Sequence, residues 1–502
     1  MPEQTPIALE PAGRPAAHGL SPEARVQMAV DTLSGKTSVA EAARRLGVSR
    51  KFVAAQAQLA GDALRKAFEP PEPDKEVLFY LPVTRHWLRQ FVLVLLLVCR
   101  GSFRGVAEAM ECLLDYRQMS VGQVHAIAAE AMGRASESNA QEQLSGVRAT
   151  AQDEIFQSGK PVLAGLDQSS TYCFLLSEEA SRDSETWGVR LLECQDRGLN
   201  PDYAVADGGQ GQRAGMRMVW PGTPCFSDSF HALYELGKVG TLLENRAYAA
   251  IAAEDDIRRR LDKAKRKGEG RSYSRKLGLR RAETARRVAL YDDFRALLGR
   301  LRGEVLTFNE LSTGQRGALF DLVVREIQGR EALCPAHLPQ ARKYLQNQRD
   351  DLLGPFGLLD KELAELAAGG GASVEALRLL VGLEAKADCQ EAYWRRRGEL
   401  SPLFGGQLDS LLAEVREIMD GVHKTSSVVE NLNSRLRCYF FLRRQLGKGY
   451  LELLRFFLNH RRFLRSSHPE RVGKSPAELL SGEPHPHWLE MLGYQRFVRA
   501  AA

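Results

Sequence analysis

The sequence predicts an α+β multidomain chain, with a mixed five-stranded α/β core interrupted by a large all-α insertion and preceded by helical domains. Three observations predict it. Between residues 147 and 226, short apolar runs alternate with turn and helix signals in the order strand, strand, strand, helix, strand, helix, strand. From residue 232 to about 420 the apolar spacing is helical, with little strand signal. Before residue 140, Ser and Thr caps introduce one helical pattern after another.

At 502 residues the chain has room for several cores and needs neither disulfides nor metals to fold. Charged residues are 26% and the hydrophobic set 44%, an ordinary globular balance. The net charge of +6 is too small for a binder driven by bulk charge, so the distribution of that charge carries the information. Eight cysteines without a Cys-x-x-Cys pair fit neither a zinc ribbon nor a disulfide scaffold and read as reduced thiols. The longest apolar run, Phe91 to Cys99, is about half of a membrane span. The first residues lack a basic start and an apolar stretch, so a secretory signal is not expected and a cytoplasmic location is.

Residues 1–20, rich in Pro, Ala and Gly, read as a disordered arm. Over 21–66, Ser21-Pro22-Glu23 opens one helix and Ser38 caps a second, whose Val39, Ala42, Ala43 and Leu46 share a face. Gly47 then turns the chain and Ser49 caps a third helix, with Arg50 and Lys51 at its start. This is a helix-turn-helix pattern with cations at the end that would enter a DNA groove; a plain helical hairpin is the alternative. Residues 67–83 contain the linker Glu69-Pro70-Pro71-Glu72-Pro73. Residues 84–140 form a second helical unit, read either as another helix-turn-helix or as a purely structural three-helix unit.

Residues 141–235 hold the strands: Val147 to Phe156, Val162 to Leu166, Tyr172 to Leu176, Tyr203 to Ala206 and Pro224 to Phe226, with a helix capped by Ser184 after the third. That order is the order of the ribonuclease H-like fold. The all-α insertion occupies 236–420, broken at Gly369-Gly370-Gly371, and its stretch Arg258 to Arg287 carries 14 Lys/Arg against 3 Asp/Glu. Residues 421–480 supply the C-terminal helices of the core, and 481–502 a tail.

Asp153 lies inside the first strand and Asp207 ends the fourth, strands that neighbour each other in such a sheet. Converging carboxylates repel unless cations share them, and hard oxygen ligands suit Mg²⁺ or Mn²⁺. Two such ions activate an attacking oxygen and stabilise the leaving oxygen of a phosphodiester. Glu430, in the first turns of a helix capped by Ser426 or Ser427, is the expected third acid. Asn433 and Arg437 share its face, and the Arg suits a phosphate beside the metals. Asp167 is the rival of Asp153, because it too ends a strand; it otherwise reads as a turn residue bonding local backbone.

These features resemble the DDE-type transposases of bacterial insertion sequences. The resemblance spans about residues 21–480 and rests on the strand order, the three acids, the segments DEIF, LAGLDQSS and VADGGQG, the basic last helix and the N-terminal helices. Asp228-x-x-His231 is similar to a signature of those transposases that carry helical insertions. The resemblance implies a nucleoid-associated enzyme that cleaves phosphodiesters at element ends and joins the 3′-hydroxyls to target DNA. It implies catalysis by Asp153, Asp207 and Glu430 with two Mg²⁺ or Mn²⁺ ions, with Asp167, Asp228, His231 and Arg437 as alternatives or support. The partners implied are double-stranded DNA, as terminal inverted repeats and as target, and further copies of the chain in a dimer or higher oligomer. Arg50, Lys51, Arg258, Arg259, Lys263, Arg266, Lys267, Arg435, Arg443 and Arg444 are the expected DNA contacts. Trp394 is a candidate for stacking on a base. The alternatives are a nuclease or resolvase of the same fold without strand transfer, and a transposase-derived DNA-binding protein without catalysis.

Overall fold

The computed structural model describes residues 19–68, 80–268, 271–370, 372–386, 390–443 and 446–497. Nearly all of the expected arm and most of the linker lie outside these residues. The chain divides into two compact units, Met1–Val83 and Thr84–Ala502.

In the first unit, α1 (Pro22–Leu33), α2 (Val39–Leu46) and α3 (Arg50–Phe68) enclose a small core of Met28, Ala42, Ala43, Val48 and Val53. The turn between α2 and α3 needs a left-handed residue, and Gly47 supplies it at φ 64° without a Cβ clash. Ser38 and Ser49 cap the two helices through the backbone N–H groups of Glu41 and Phe52. Arg50 and Lys51 are exposed in the first turn of α3.

The second unit is built on one sheet. Its strands are β1 (Ala149–Gln157), β2 (Lys160–Asp167), β3 (Cys173–Glu178), β4 (Tyr203–Ala206) and β5 (Cys225–Ser227), in the order β3-β2-β1-β4-β5. β1 to β3 are antiparallel; β4 joins β1, and β5 joins β4, in parallel. The sheet is therefore mixed and open. The β1–β2 hairpin turns on Ser158 and Gly159, both at positive φ, which matches the twist of the strands it joins.

Successive residues of β2 serve opposite faces. Val162, Ala164 and Leu166 pack with α4 (Arg85–Leu97), α5 (Phe103–Leu114) and α6 (Val121–Ala140), so residues 84–140 share the core of the sheet rather than form a body of their own. Leu163 packs the other way, with Trp187 and Leu191 of α7 (Ser184–Gln195) and Met216 of α8 (Gln210–Val219). The cap of α7 is Asp183, not Ser184: its carboxylate accepts from Thr186 N at 2.9 Å.

Among the described residues the insertion's long elements are all α-helices: α9 (Ser229–Lys265), α10 (Arg271–Arg300), α11 (Thr313–Gly329), α12 (Leu338–Ala368), α13 (Val374–Glu384), α14 (Gln390–Phe404) and α15 (Leu408–Gly421). Two apolar clusters hold it, one among α9 to α12 and one among α12 to α15. Gly354 of α12 lies against the Phe226 ring, where a Cβ would collide, and this close approach seats α12 on β5. Arg316 is fully buried, donates to the carbonyls of Leu311, Val305 and Thr307, and lies 4.1 Å from the Phe356 ring centroid. It serves as an internal staple, since its donors are satisfied by otherwise orphaned carbonyls.

After the insertion the chain returns to the sheet as α16 (Ser427–Phe441) and α17 (Gly447–His460), followed by the short α18 (Pro476–Ser481) and α19 (Trp488–Met491). Among the described residues no helix is long and apolar enough to cross a membrane.

Candidate active site

The register of the parallel pair puts two acids side by side. Gln152 of β1 lies opposite Ala206 of β4, and the next residues along the two strands are Asp153 and Asp207. The third acid arrives on α16. Val429, Leu432, Leu436, Tyr439 and Phe440 are buried on that helix, which packs on β1 and β2. Glu430, Asn433 and Arg437 project from an adjoining face. They line, with Asp153, Phe156, Phe440 and Phe441, a cleft of about 470 Å³.

Asp153 is the centre of this arrangement. Its Oδ2 accepts from Asn433 Nδ2 at 2.6 Å, and its Oδ1 from Glu154 N at 2.7 Å. Burial pushes its carboxyl up to about 7; the Glu154 N–H opposes that rise, and the charges of Asp207, Glu430 and Glu154 add to it. Asp207 is exposed at the end of β4, outside the lining of the cleft, and its Oδ1 accepts from Gly209 N at 3.2 Å. Glu430 is exposed.

The supporting acids have different surroundings. Asp167 is buried at the end of β2, where Oδ2 accepts from Ser170 N at 2.7 Å and Ser170 Oγ at 2.6 Å. These bonds make it the organiser of its own turn. Asp228 follows β5 and joins two helix starts. Its Oδ1 caps α9 through Phe230 N (2.6 Å) and His231 N (3.3 Å). Its Oδ2 accepts from Ser426 N at 3.0 Å and from the Ser426 hydroxyl. Ser426 is the N-cap of α16 but makes no side-chain cap of its own, because its hydroxyl is turned to Asp228. His231 is half-exposed on α9, with Nε2 3.8 Å from Glu235 Oε1.

The expected DNA contacts separate into groups. Arg259, Lys263, Arg266 and Lys267 are exposed around the end of α9, whereas Arg258 is exposed but paired with Glu254 and Asp255. Arg435 is half-buried on α16. Arg443 is packed over the rings of Phe103 and Tyr450, at 5.1 and 4.1 Å, with its Nε and Nη1 atoms buried without a hydrogen-bond partner. That guanidinium is stacked on two rings, and its Nη2 donates to the Gly101 carbonyl at 3.3 Å. Arg444 lies outside the described residues. Trp394 is exposed on α14, with the Arg397 guanidinium 5.2 Å from its ring centroid.

The donor chemistry of these acids suits a hard divalent cation, because all three are carboxylates, and Asp153, raised chiefly by its burial, is raised further by the charges of Asp207 and Glu430. The expected three-carboxylate ligand group is not closed, however. Among the described residues, no three His, Cys, Asp or Glu side chains stand close enough together to hold one ion. Asp153 is hydrogen-bonded to Asn433 and to Glu154 N, and Asp207 to Gly209 N.

Two residues of this region escaped the sequence reading. Asn433 was legible as a neighbour of Glu430 but not as the partner of Asp153, because that contact spans 280 positions. Ser426 was legible as a cap but not as the partner of Asp228. Comparison of the sequence with protein-family models and with curated proteins returns no match.

Proposed function

We propose that this chain is a DNA transposase with a ribonuclease H-like catalytic core, and that it cleaves phosphodiesters at element ends and joins the 3′-hydroxyls to target DNA. The observation that carries the reading is the placing of Asp153 and Asp207 at neighbouring positions of the parallel strands β1 and β4, with Glu430 of α16 lining the cleft beside Asp153. The strand order and the mixed pairing support it. Asp153, Asp207 and Glu430 would hold Mg²⁺ or Mn²⁺, which when bound activates the attacking oxygen and stabilises the leaving one.

The remaining roles belong to the chain itself. Asn433 orients the Asp153 carboxylate through its amide. Arg437, in the same cleft, offers a planar fork to a phosphate. Asp228 fixes the start of α16, and so the position of Glu430, relative to β5. The α1–α3 unit reads the terminal repeats as a helix-turn-helix, with Arg50 and Lys51 toward the groove. Exposed cations at the end of α9 bind the backbone, and two or more copies bring two ends together.

A second reading, DNA binding without cleavage, draws on the open arrangement of the acids. One experiment separates the two. The full chain is incubated with Mg²⁺ or Mn²⁺ and labelled duplexes copied from the DNA flanking its gene. Metal-dependent nicking that is lost in Asp153→Asn, Asp207→Asn and Glu430→Gln, with duplex binding retained, supports the transposase. Joining of the cut ends separates it from a simple nuclease. Nicking that survives in all three variants defeats the site assignment.

A further inference from the structure

Three elements bring an arginine to one place on the core. Arg100 follows α4, Arg435 lies within α16 and Arg461 ends α17. The centre is Tyr439, one helical turn beyond Arg435 on the same side of α16. The Arg100 guanidinium lies 5.8 Å from the Tyr439 ring centroid. The Tyr439 hydroxyl donates to the Leu97 carbonyl at 2.5 Å, which pins the ring to the end of α4. Arg461 is electrostatically coupled to both Arg435 and Tyr439. All three arginines are half-buried.

The described residues supply no acid to this cluster. Among the described residues, none of the three guanidiniums has a carboxylate within the 4.0 Å of an ion pair, and those of Arg435 and Arg461 make no hydrogen bond. Arg190 and Arg455, by contrast, meet carboxylates: Arg190 pairs with Glu179 and Glu193, and Arg455 with Glu452. Gathering like charges at a half-desolvated place is costly unless an anion offsets it. The guanidinium fork is the side-chain group best matched to a tetrahedral oxyanion.

We propose that Arg100, Arg435 and Arg461 form an oxyanion site that grips a phosphate group. Arg435 is five residues beyond Glu430, which places it about 140° around the helix from that acid. The phosphate held here is therefore not the one at the carboxylates. The site stands whether or not those acids cleave DNA. Its phosphate comes either from a nucleic-acid backbone or from a small phosphate species, and the two sources give different results.

The test uses the full chain, with Arg435→Gln/Arg461→Gln as the variant. Binding of a labelled duplex is followed over a salt series, and inorganic phosphate and pyrophosphate are titrated calorimetrically. For a backbone phosphate, the variant binds duplex roughly tenfold more weakly and its salt slope falls by about one to two units, one per lost contact. For a small phosphate species, the wild type binds pyrophosphate and the variant does not, with the duplex slope unchanged. A variant that matches the wild type in both measurements overturns the site. Because the Gln variant removes a repulsion, its unfolding midpoint should not fall. Should it fall, Arg435→Lys/Arg461→Lys keeps the charge and loses only the fork. That pair still binds phosphate more weakly if the site is real, and equally well if it is not.

Discussion

Asn433 donates a 2.6 Å hydrogen bond to the Oδ2 atom of Asp153, and this bond joins the returning helix α16 to the central strand β1. A hydrogen bond to an ionised carboxylate contributes about 1.5–3 kcal/mol, and one to a neutral group about 0.5–1.5. The Asp153 carboxyl titrates at about 7. Asn433→Ala should therefore cost more stability at about pH 8.5 than at about pH 5, by roughly 1 kcal/mol. Urea unfolding at the two pH values measures it. Equal costs would mean that Asp153 holds one charge state throughout.

Asp228 satisfies N–H groups at the start of α9 and at the cap of α16 from one buried carboxylate. Asp228→Ala leaves both helix starts short of an acceptor, and a loss of about 2–4 kcal/mol is expected. Amide exchange in the first turn of α16 should rise with it. If exchange rises only in α9, the carboxylate is an ordinary cap and does not position Glu430.

Two histidines tie stability to pH. Burial holds both His423 and His460 down at about 4; Arg471 adds to the effect at His423, while the Phe456 carbonyl works against it at His460. In the unfolded chain each takes up a proton near pH 6.5. Between those limits the unfolded state binds more protons, so stability falls as pH drops from about 6.5 toward 4, by up to about 1.4 kcal/mol per pH unit for each histidine. His423→Gln should remove one histidine's share of that slope. An unchanged slope between pH 7 and 4 would show that His423 reaches water and titrates normally.

The cations at the end of α9 should act on DNA without reading it. Neutralising Arg258, Arg259, Lys263, Arg266 and Lys267 together should weaken binding to all duplexes alike and lower the salt slope, with folding intact because all five are exposed. Arg258 contributes least, since Glu254 and Asp255 already pair with it. A salt slope equal to the wild type's would assign the run to a solvated face.

The α1–α3 unit carries the expected sequence selectivity. Arg50→Ala/Lys51→Ala should narrow the affinity ratio between element ends and random duplex, while the affinity that the second unit provides remains. Competition binding measures the ratio. A ratio that survives the change moves selectivity to another part of the chain.

The sequence by itself determined what depends on neighbours along the chain. Alternation and turn chemistry located the five strands to within about two residues, and the structure begins and ends the fourth, Tyr203–Ala206, where the sequence does. Gly47 and the Ser38 and Ser49 caps were legible because a helix end is satisfied by groups a few residues away. The error at α7 was of the same scale: Asp183 and Ser184 are both good caps, and periodicity does not choose between adjacent ones.

Tertiary structure decided what depends on long-range pairing. Whether residues 84–140 stand alone or cover the sheet was open in the sequence, because an apolar helix face does not say which surface buries it. Arg443 read only as a cation on a basic stretch, and its packing over Phe103 and Tyr450 was decided by contacts far along the chain. The acids were legible as types at strand and helix ends. The hydrogen bonds that hold each one, Asn433 to Asp153 and Ser426 to Asp228, cross 280 and 198 positions of chain. A contact at that separation leaves no periodicity behind, because it is made by the sheet register and by the return of α16 after the insertion.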